Sequence, residues 1–539
     1  PASRSQPDGV HGPSQLLDPV FPWEDSGWQG IPLEACIFYE LHLGTFTPEG
    51  TFEAAISRLD YLKDLGITAV ELMPVAQFPG ERNWGYDGVY PFAPQNSYGG
   101  AAGLKRLVDA CHRRGLAVFL DVVYNHLGPE GNYLHAFGPY FTDRYRTPWG
   151  DAVNFDGPYS DGVRHYFICN ALYWLTEYHL DGLRLDAVHG IYDFSVRHIL
   201  AELNDAVQQE RLARGRELHL IAESDLNDVR LVKPPEAGGY GLDAQWNDDF
   251  HHALRTLLTG EKSGYYADFG TFADLVKGFR EGFVLSGEYS TYRKRRHGSS
   301  SAAIPPGQLV VFSQNHDQVG NRLRGERLSE HLNVAQLKLA AATTLLSPYL
   351  PLLFMGEEYA ESAPFPYFVS HGDPELVEGV RQGRLDEFSA FGDQGAPPDP
   401  QAEETFLSAK LNPQQRNGGD QRAIYEFYRQ LIRLRKECTP LAGLNREGIE
   451  VIASEDDQLL TVIRTFEGEQ IICLFNYSGQ NREIHLQAAS GTLLILLDSC
   501  GSLSPGSRVT FNVDHSGACL SLPPFVVRVL QKTADTSSV

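Results

Sequence analysis

The chain has 539 residues, and its 45 Lys and Arg against 69 Asp and Glu give a formal net charge of −24. This charge disfavours nucleic acids and anionic membranes as partners, because their phosphate groups would be repelled. No apolar run approaches the roughly 18 residues that a transmembrane helix needs, so we expect no membrane span. Hydrophobic residues make up 42% of the chain, which is ordinary for a soluble globular enzyme.

The seven cysteines are scattered, and no two have the C-x-x-C spacing of zinc or redox sites. With no recognisable signal peptide, this predicts a cytoplasmic protein with reduced cysteines and no metal or cofactor. Residues 1–34 are rich in Pro, Gly and Ser, and they are predicted to be an irregular lead-in.

From residue 35 onward, short apolar runs alternate with amphipathic segments, which predicts strands alternating with helices. The predicted strands cover residues 35–41, 68–73, 117–123, 182–186, 219–223, 242–246, 309–313 and 350–354. The predicted helices cover 51–65, 104–114, 167–179, 195–209 and 424–435. This order predicts an α/β fold, a (β/α)₈ TIM barrel over residues 35–445. A long loop region at about 127–165 interrupts it after the third strand, and loops of that length are usually functional.

After residue 445 the helical pattern disappears. Short apolar strands joined by turns follow one another, for example at 459–464, 470–475 and 525–530. This pattern predicts a C-terminal all-β sandwich over residues 446–539.

Three acids, Asp186, Glu223 and Asp317, each follow the end of an apolar strand run. An Asp or Glu in such a place is most often a helix cap or a surface group. Three of them at the same end of one barrel nevertheless predict a carboxylate site, since two acids are the minimum for cleaving a glycosidic bond.

The neighbours of these acids indicate how the work is divided. Arg184 lies two residues before Asp186 on one strand, so both side chains point to the same face, and the guanidinium would keep Asp186 ionised. Glu223 ends a more apolar strand and has no cation beside it in sequence, so it is the better proton donor with a raised pKa. Asp317 follows His316, and the pair would bind sugar hydroxyls. A retaining reaction would place the Asp186 and Glu223 carboxyls about 5–5.5 Å apart.

Four segments of the chain resemble the conserved regions of the alpha-amylase superfamily, in order and in spacing. They are DVVYNH at 121–126, GLRLDAVH at 182–189, IAE at 221–223 and NHD at 315–317. The resemblance implies that Asp186 is the nucleophile, Glu223 the general acid/base and Asp317 the stabiliser of the transition state. It also implies contacts to the sugar at subsite −1 from Tyr86, His126, Arg184 and His316.

Within the superfamily, the residues that flank these regions resemble the maltooligosyltrehalose trehalohydrolase family, as in AESDLND at 222–228 and QNHDQVGN at 314–321. The resemblance implies hydrolysis of the α-1,4 bond next to a terminal trehalose unit. It further implies a pathway partner, maltooligosyltrehalose synthase, that makes this 1,1-linked end from an α-1,4-glucan. The family usually carries a β-sandwich before the barrel, which we expect to be absent from this chain.

Several residues have two interpretations. Asp121 and Asn125 suggest either calcium ligands or structural hydrogen bonding, and the latter is favoured because no further ligands are evident. Trp246 is either a sugar platform at a plus subsite or a buried core residue, and His189 either contacts the +1 sugar or caps its strand. We include both among the candidate substrate-binding residues. The aromatic side chains of the long loop either line the plus subsites or only pack against the rest of the protein: Tyr133, Phe137, Tyr140 and Trp149.

Competing functions remain at this stage. Other members of the superfamily, such as amylases, debranching enzymes and branching enzymes, would use the same three acids. A non-catalytic glucan-binding protein built on the barrel is the alternative of another class, although it would have no reason to keep all three acids. The basic cluster at 293–297 is taken as a solvated loop rather than a phosphate site.

Overall fold

A computed structural model of the protein describes residues 1–391, 395–486, 491–511 and 518–532. Eight parallel strands close into a barrel, as the sequence predicts. They are β1 Phe38–Leu41, β2 Ala69–Leu72, β3 Ala117–Val122, β4 Gly182–Leu185, β5 His219–Ala222, β6 Ala244–Trp246, β7 Leu309–Phe312 and β8 Leu350–Phe354. Neighbours in sequence are neighbours in the barrel, and β8 closes onto β1 with Phe38 opposite Leu352.

The inside of the barrel has two layers of different character. The lower layer is an apolar cluster that includes Phe38, Ala69, Phe119, Ile221, Ala244, Val310 and Leu350. Because strand side chains alternate with a period of two, the inward position that follows on several strands lies in a layer above. There the buried side chains are charged: Glu40, Glu71, Asp121 and Arg184. The sequence therefore builds a hydrophobic base and places charges at the carboxyl ends of the strands.

The α-helices are Leu43–Phe46, Phe52–Ile56, Leu59–Leu65, Gly100–His112, Ser160–Glu177, Ile199–Arg214, Asp248–Thr259, Phe272–Glu281, His316–Gly320, Val334–Leu345, Pro374–Phe391, Glu403–Ser408, Gly419–Glu437 and Thr439–Ala442. The helix predicted at 51–65 is divided in two at Ser57 and Arg58. The helix predicted from residue 195 begins later, because Asp193 accepts hydrogen bonds from the backbone of Ser195 and Ile199 and holds this stretch in a turn. Among the described helices, none combines the length and apolar character that a membrane crossing requires.

The long loop after β3 is less irregular than predicted. It contains an antiparallel hairpin, Phe141–Thr147 with Gly150–Val153, and the following helix already begins at Ser160. The hairpin turn carries Trp149 at its tip. Smaller antiparallel pairs are Ala76–Gln77 with Tyr90–Pro94 and Tyr289–Ser290 with Arg295–Arg296.

The C-terminal region is an antiparallel β-sandwich, as predicted. Its six-stranded sheet contains, in spatial order, Ile449–Ser454, Leu459–Phe466, Glu469–Asn476, Val526–Lys532, Gly491–Asp498 and Arg508–Phe511. A second sheet pairs Arg482–Leu486 with Ala518–Leu522, and Leu486 and Leu522 pack against Leu474 between the sheets. The other face of the large sheet packs on the barrel helices, for example through Phe475 on Phe279.

The lead-in is bound to the amino-terminal end of the barrel. Trp28 Nε1 donates a hydrogen bond of 2.7 Å to Asp181, the residue just before β4. Asp25 accepts hydrogen bonds of 2.8 Å from His112 and from His179. These buried polar contacts explain how a segment without α-helices or strands of its own is held in one place.

Candidate active site

The three acids singled out by the sequence lie together at the carboxyl end of the barrel. Asp186 follows β4 and Glu223 follows β5, while Asp317 is the second residue of the short helix after β7. Asp186 is 8% exposed, and the Glu223 side chain is 12% exposed. The Asp317 side chain is 40% exposed and is the most open of the three.

Arg184 links two of these acids. Its guanidinium is fully buried, and Nη1 donates hydrogen bonds to Asp186 Oδ1 at 2.6 Å and to Asp121 Oδ2 at 2.8 Å. Nη2 lies 3.7 Å from Glu223 Oε2. One cation thus contacts both acids that a glycosidase would need.

Asp186 is held in the ionised form. Burial alone would raise its pKa, but the charges of Arg184 and His126, together with hydrogen bonds from Asn125 and Arg184, lower the pKa below its ordinary value. Asn125 Nδ2 donates to Asp186 Oδ2 at 2.7 Å. The carboxylate is therefore charged and oriented through both of its oxygens.

Glu223 is shifted in the opposite direction. Burial raises the pKa of this carboxyl, and the lowering effect of Arg184 does not cancel it, because Asp186 and Asp317 lie nearby. Its Oε2 accepts a hydrogen bond of 2.6 Å from the backbone N–H of Ala187. The pKa values of the two carboxyls on one guanidinium are therefore shifted in opposite directions, as the sequence predicts.

His316 and Tyr86 lie between Asp317 and Asp121. The Tyr86 hydroxyl is 2.6 Å from Asp121 Oδ2 and 2.7 Å from His316 Nε2, and the two rings stack with centroids 5.3 Å apart. His316 Nε2 is also 3.5 Å from Asp317 Oδ2. These groups form one connected wall of the site.

His126 lies next to Tyr86 at the end of this wall. Its Nε2 is 3.0 Å from the carbonyl oxygen of Tyr86, and its ring stacks on Trp149 with centroids 4.5 Å apart. Trp149 reaches the site from the hairpin tip and is half exposed. The other loop aromatics lie elsewhere: Tyr133 bonds to His11, and Tyr140 packs on Tyr166.

The structure corrects the interpretation of Trp246 as a sugar platform. The residue is 1% exposed and lies below Arg184, whose guanidinium carbon is 4.3 Å from the ring centroid. Phe312 packs on the same indole at 5.3 Å. The ring is therefore covered by protein, and it supports Arg184 by a cation–π contact instead of meeting a sugar.

His189 lies beside the acid/base candidate, at the edge of the site. Its Nε2 is 3.9 Å from Asp225 Oδ1; burial would raise the pKa of Asp225, but the neighbouring His189 and Arg293 lower it. Asp225 also accepts a hydrogen bond of 2.8 Å from Arg293. Sequence reasoning missed this contact because it treated the basic cluster at 293–297 as a solvated loop. The sequence feature that could have indicated a partner for this cluster is Asp225, an acid two residues after Glu223.

Asp121 and Asn125 make the structural hydrogen bonds that the sequence analysis favours. Asp121 Oδ2 accepts from Tyr86 and Arg184, and Asn125 Oδ1 is 2.6 Å from His126 Nδ1. One oxygen of each side chain thus faces a protein donor, whereas Asp121 Oδ1 has no hydrogen-bond partner within the described chain. In the described part of the chain, potential metal ligands of the His, Cys, Asp and Glu types gather at the surface of the C-terminal sandwich, in Glu483, His485 and Cys519.

Comparison with known proteins agrees with this geometry. Residues 4–146 match the family model "Alpha amylase, catalytic domain". A malto-oligosyltrehalose trehalohydrolase of Saccharolobus solfataricus is 51% identical over 437 residues, which cover 81% of this chain and 75% of the relative. A malto-oligosyltrehalose trehalohydrolase of Rhizobium sp. strain M-11 is 46% identical, and the match covers 98% of this chain and 87% of the relative.

A solved structure from Salmonella typhimurium, named as a candidate alpha amylase, superposes with a TM-score of 0.88. The two sequences are 40% identical, and the match covers 99% of this chain and 88% of the Salmonella chain. The barrel, the position of the acids and these relatives lead to one conclusion. The chain belongs to the malto-oligosyltrehalose trehalohydrolases, a family of glycoside hydrolases within the alpha-amylase superfamily.

Proposed function

We propose that this protein is a retaining glycosidase that cleaves the α-1,4 bond next to the terminal trehalose unit of maltooligosyltrehalose, releasing trehalose and a maltooligosaccharide. One observation carries the chemistry: two buried carboxyls contact one guanidinium, yet their pKa values are shifted in opposite directions. Such a pair supplies a charged nucleophile and a protonated acid at the same pH. The named relatives support the choice of substrate.

In the first step, the ionised Asp186 attacks the anomeric carbon of the −1 sugar. The bond to the trehalose oxygen breaks, and Glu223 gives its proton to that oxygen. A covalent glycosyl ester on Asp186 remains. In the second step, Glu223, now ionised, takes a proton from water, and the hydroxide oxygen displaces Asp186. Both acids return to their starting states.

The surrounding residues stabilise the sugar as it flattens between these steps. Asp317, with its open carboxylate, and His316 would bind sugar hydroxyls, and His126 would contact the same sugar from beside Tyr86. Tyr86 offers its ring to the −1 sugar. Arg184 keeps Asp186 ionised and acts as its counter-ion.

The substrate is tested by incubating the protein separately with maltopentaose and with maltotriosyltrehalose, and identifying the products by chromatography. We expect rapid release of trehalose from the second and little cleavage of the first. Equal cleavage of both would instead assign a general amylase-type hydrolase. Cleavage of neither would favour a branching enzyme or a glucan-binding protein.

The stereochemistry gives an independent check of the mechanism. A double displacement at the α-1,4 bond releases the maltooligosaccharide with its new reducing end in the α configuration. Proton NMR within the first minutes, before mutarotation, distinguishes α from β. Initial release of the β anomer would contradict a nucleophilic role for Asp186.

The trehalose end of the substrate must itself be made from an α-1,4-glucan. We propose that a maltooligosyltrehalose synthase supplies it by isomerising the reducing end. Our protein would then consume the product of that synthase.

A further inference from the structure

Glu40 makes contacts that the proposed reaction does not explain. It lies on β1 inside the barrel and is 1% exposed. Its Oε2 accepts a hydrogen bond of 3.0 Å from the backbone N–H of His316, and its Oε1 makes a short hydrogen bond with His316 Nδ1. Both oxygens of a buried carboxylate are thus used to hold a single residue of the site.

The contacts of His316 Nε2, on the side of the ring away from Glu40, define which ring nitrogens carry a hydrogen. The Tyr86 hydroxyl has one hydrogen, and the Asp121 carboxylate at 2.6 Å accepts it. The Tyr86 oxygen is then the acceptor for His316 Nε2 at 2.7 Å, so Nε2 must carry a hydrogen. Because Nδ1 donates to Glu40, both ring nitrogens are donors, which is the charged imidazolium.

The charges around the ring agree with this assignment. Burial lowers the pKa of His316, but the carboxylates of Asp317 and Glu40 outweigh it and raise the pKa to about 9. The other titratable or charged groups that act on the ring are His42, Glu71, Tyr86, Asp121 and Arg184. Burial raises the pKa of Glu71 well above its ordinary value, which favours its uncharged form, and Asp121 Oδ2 is bonded to Tyr86 and Arg184. The carboxylates that face the ring nitrogens directly are therefore Glu40 at Nδ1 and Asp317 at Nε2.

We propose that Glu40 is a positioning residue, which keeps His316 charged and directs its Nε2–H toward Tyr86, Asp317 and the −1 sugar. The proposal rests on the proposed function, because it assumes that a sugar lies against this ring. Without the Glu40 charge, His316 would lose a proton at lower pH and could no longer donate from both nitrogens.

The neighbouring strand offers a matched control. Glu71 on β2 is paired in register with Glu40, is equally buried at 1% exposed, and has an Oε2 without a hydrogen-bond partner among the described residues. Burial raises the pKa of Glu71 well above its ordinary value and so favours the uncharged form, which is why we expect Glu71→Gln to change little. Glu40→Gln, by contrast, keeps an acceptor for Nδ1–H but removes the charge.

The first test compares kcat/KM of the native protein with that of each variant between about pH 5 and pH 8.5. The native-to-variant ratio for Glu40→Gln should be constant at low pH and rise by up to about tenfold per pH unit above the lowered His316 pKa. Ionisation of Glu223 affects both proteins and cancels in the ratio. For Glu71→Gln the ratio should stay flat.

A purely structural role for Glu40 would give a loss that does not vary with pH. A flat ratio for Glu40→Gln would overturn the proposal, and so would an equal rise for Glu71→Gln. The assay uses maltotriosyltrehalose, or whichever glucan the protein cleaves.

The second test needs no substrate, so its failure is distinct from failure of the proposed function. Histidine labelled with ¹³C and ¹⁵N reports ring protonation by NMR, and the signal missing from a His316→Asn variant identifies His316. We expect the native ring to remain charged at about pH 8 and the pKa to fall by at least about one unit in Glu40→Gln. If that variant does not fold, the native titration decides alone: a pKa near the ordinary 6.5 would overturn the proposal.

Discussion

The two ends of the barrel each hold a buried cluster of acids with basic partners, but the clusters differ in how completely they are bonded. At the amino-terminal end, Asp181 accepts hydrogen bonds from Trp28 and Arg216 on one oxygen and from Val118 and His112 on the other. At the carboxyl end, Asp121 Oδ1 and Arg184 Nε and Nη2 have no hydrogen-bond partner within the described chain. In the first cluster Asp181 is saturated, although Arg216 Nε has no partner within the described chain, whereas the second leaves a carboxylate oxygen and two guanidinium nitrogens open.

The pKa shifts differ in the same way. At the amino-terminal end, burial is outweighed by the partners: the pKa values of Asp25 and Asp181 are lowered and that of His112 is raised, so each of these three paired groups favours its charged form. At the carboxyl end, the pKa of Asp186 is lowered while the pKa of Glu223 is raised. A saturated buried network stabilises the fold, whereas groups whose pKa values diverge can exchange protons with a substrate. Variants at the two ends of the barrel test whether this division holds.

The largest effect is expected at Asp186. Asp186→Asn removes the nucleophile but keeps the size of the side chain, so kcat should fall by about 10⁴-fold or more while substrate still binds. Steady-state kinetics measure the first quantity, and calorimetry with maltotriosyltrehalose measures the second.

Asp181→Asn is the matched control at the other end of the barrel. Well below its melting temperature it should retain kcat, since Asp181 contacts the lead-in and barrel base and not the site. Substantial kcat in Asp186→Asn would remove Asp186 from the proposed role. A comparable loss in folded Asp181→Asn would show that the two ends are not independent.

Much of this site could be predicted because each acid follows a buried strand, and the ends of parallel strands converge. The position of Arg184 two residues before Asp186 likewise fixed their shared face. Trp246 shows the limit of such reasoning. Its strand has only three residues, too few for the alternation of side chains to show whether Trp246 or its neighbours face the sugar. In the structure, Arg184 covers the Trp246 ring.

Other contacts join residues far apart in the chain and leave no local signal. Glu40 looks like any polar residue in a strand, and its partner His316 lies on the opposite half of the sequence. The Asp225–Arg293 pair connects two loops in the same way. The hairpin at 141–153 was missed because Gly, Pro and charged residues hide its alternation.

An intermediate effect is expected on stability rather than activity. Asp181→Ala leaves His112 and Arg216 without their buried partner, and removing one member of such a pair costs about 3–5 kcal/mol. Asp151→Ala is the control: it breaks an exposed pair with Arg146, which is worth at most about 1 kcal/mol. Thermal unfolding should rank the variants in this order, and equal losses would mean that the amino-terminal cluster does not stabilise the fold.

The smallest effect is a dependence of stability on pH. The lowered pKa values of Asp25 and Asp181 contribute stability above the unfolded value of about 3.9, and this contribution is lost as pH falls through the folded values. The raised pKa of His112 contributes stability below about pH 6.5, and this contribution is lost as pH rises through its folded value.

His112→Asn should therefore destabilise most between about pH 4 and 6.5, by about 1.5–3 kcal/mol for its charged hydrogen bonds. Melting temperatures measured across this range, with exposed His135→Asn as a flat reference, test the point. A deficit in His112→Asn that grew steadily toward alkaline pH would mean that this histidine is buried neutral, and the amino-terminal cluster would then not be the fully charged counterpart of the active site.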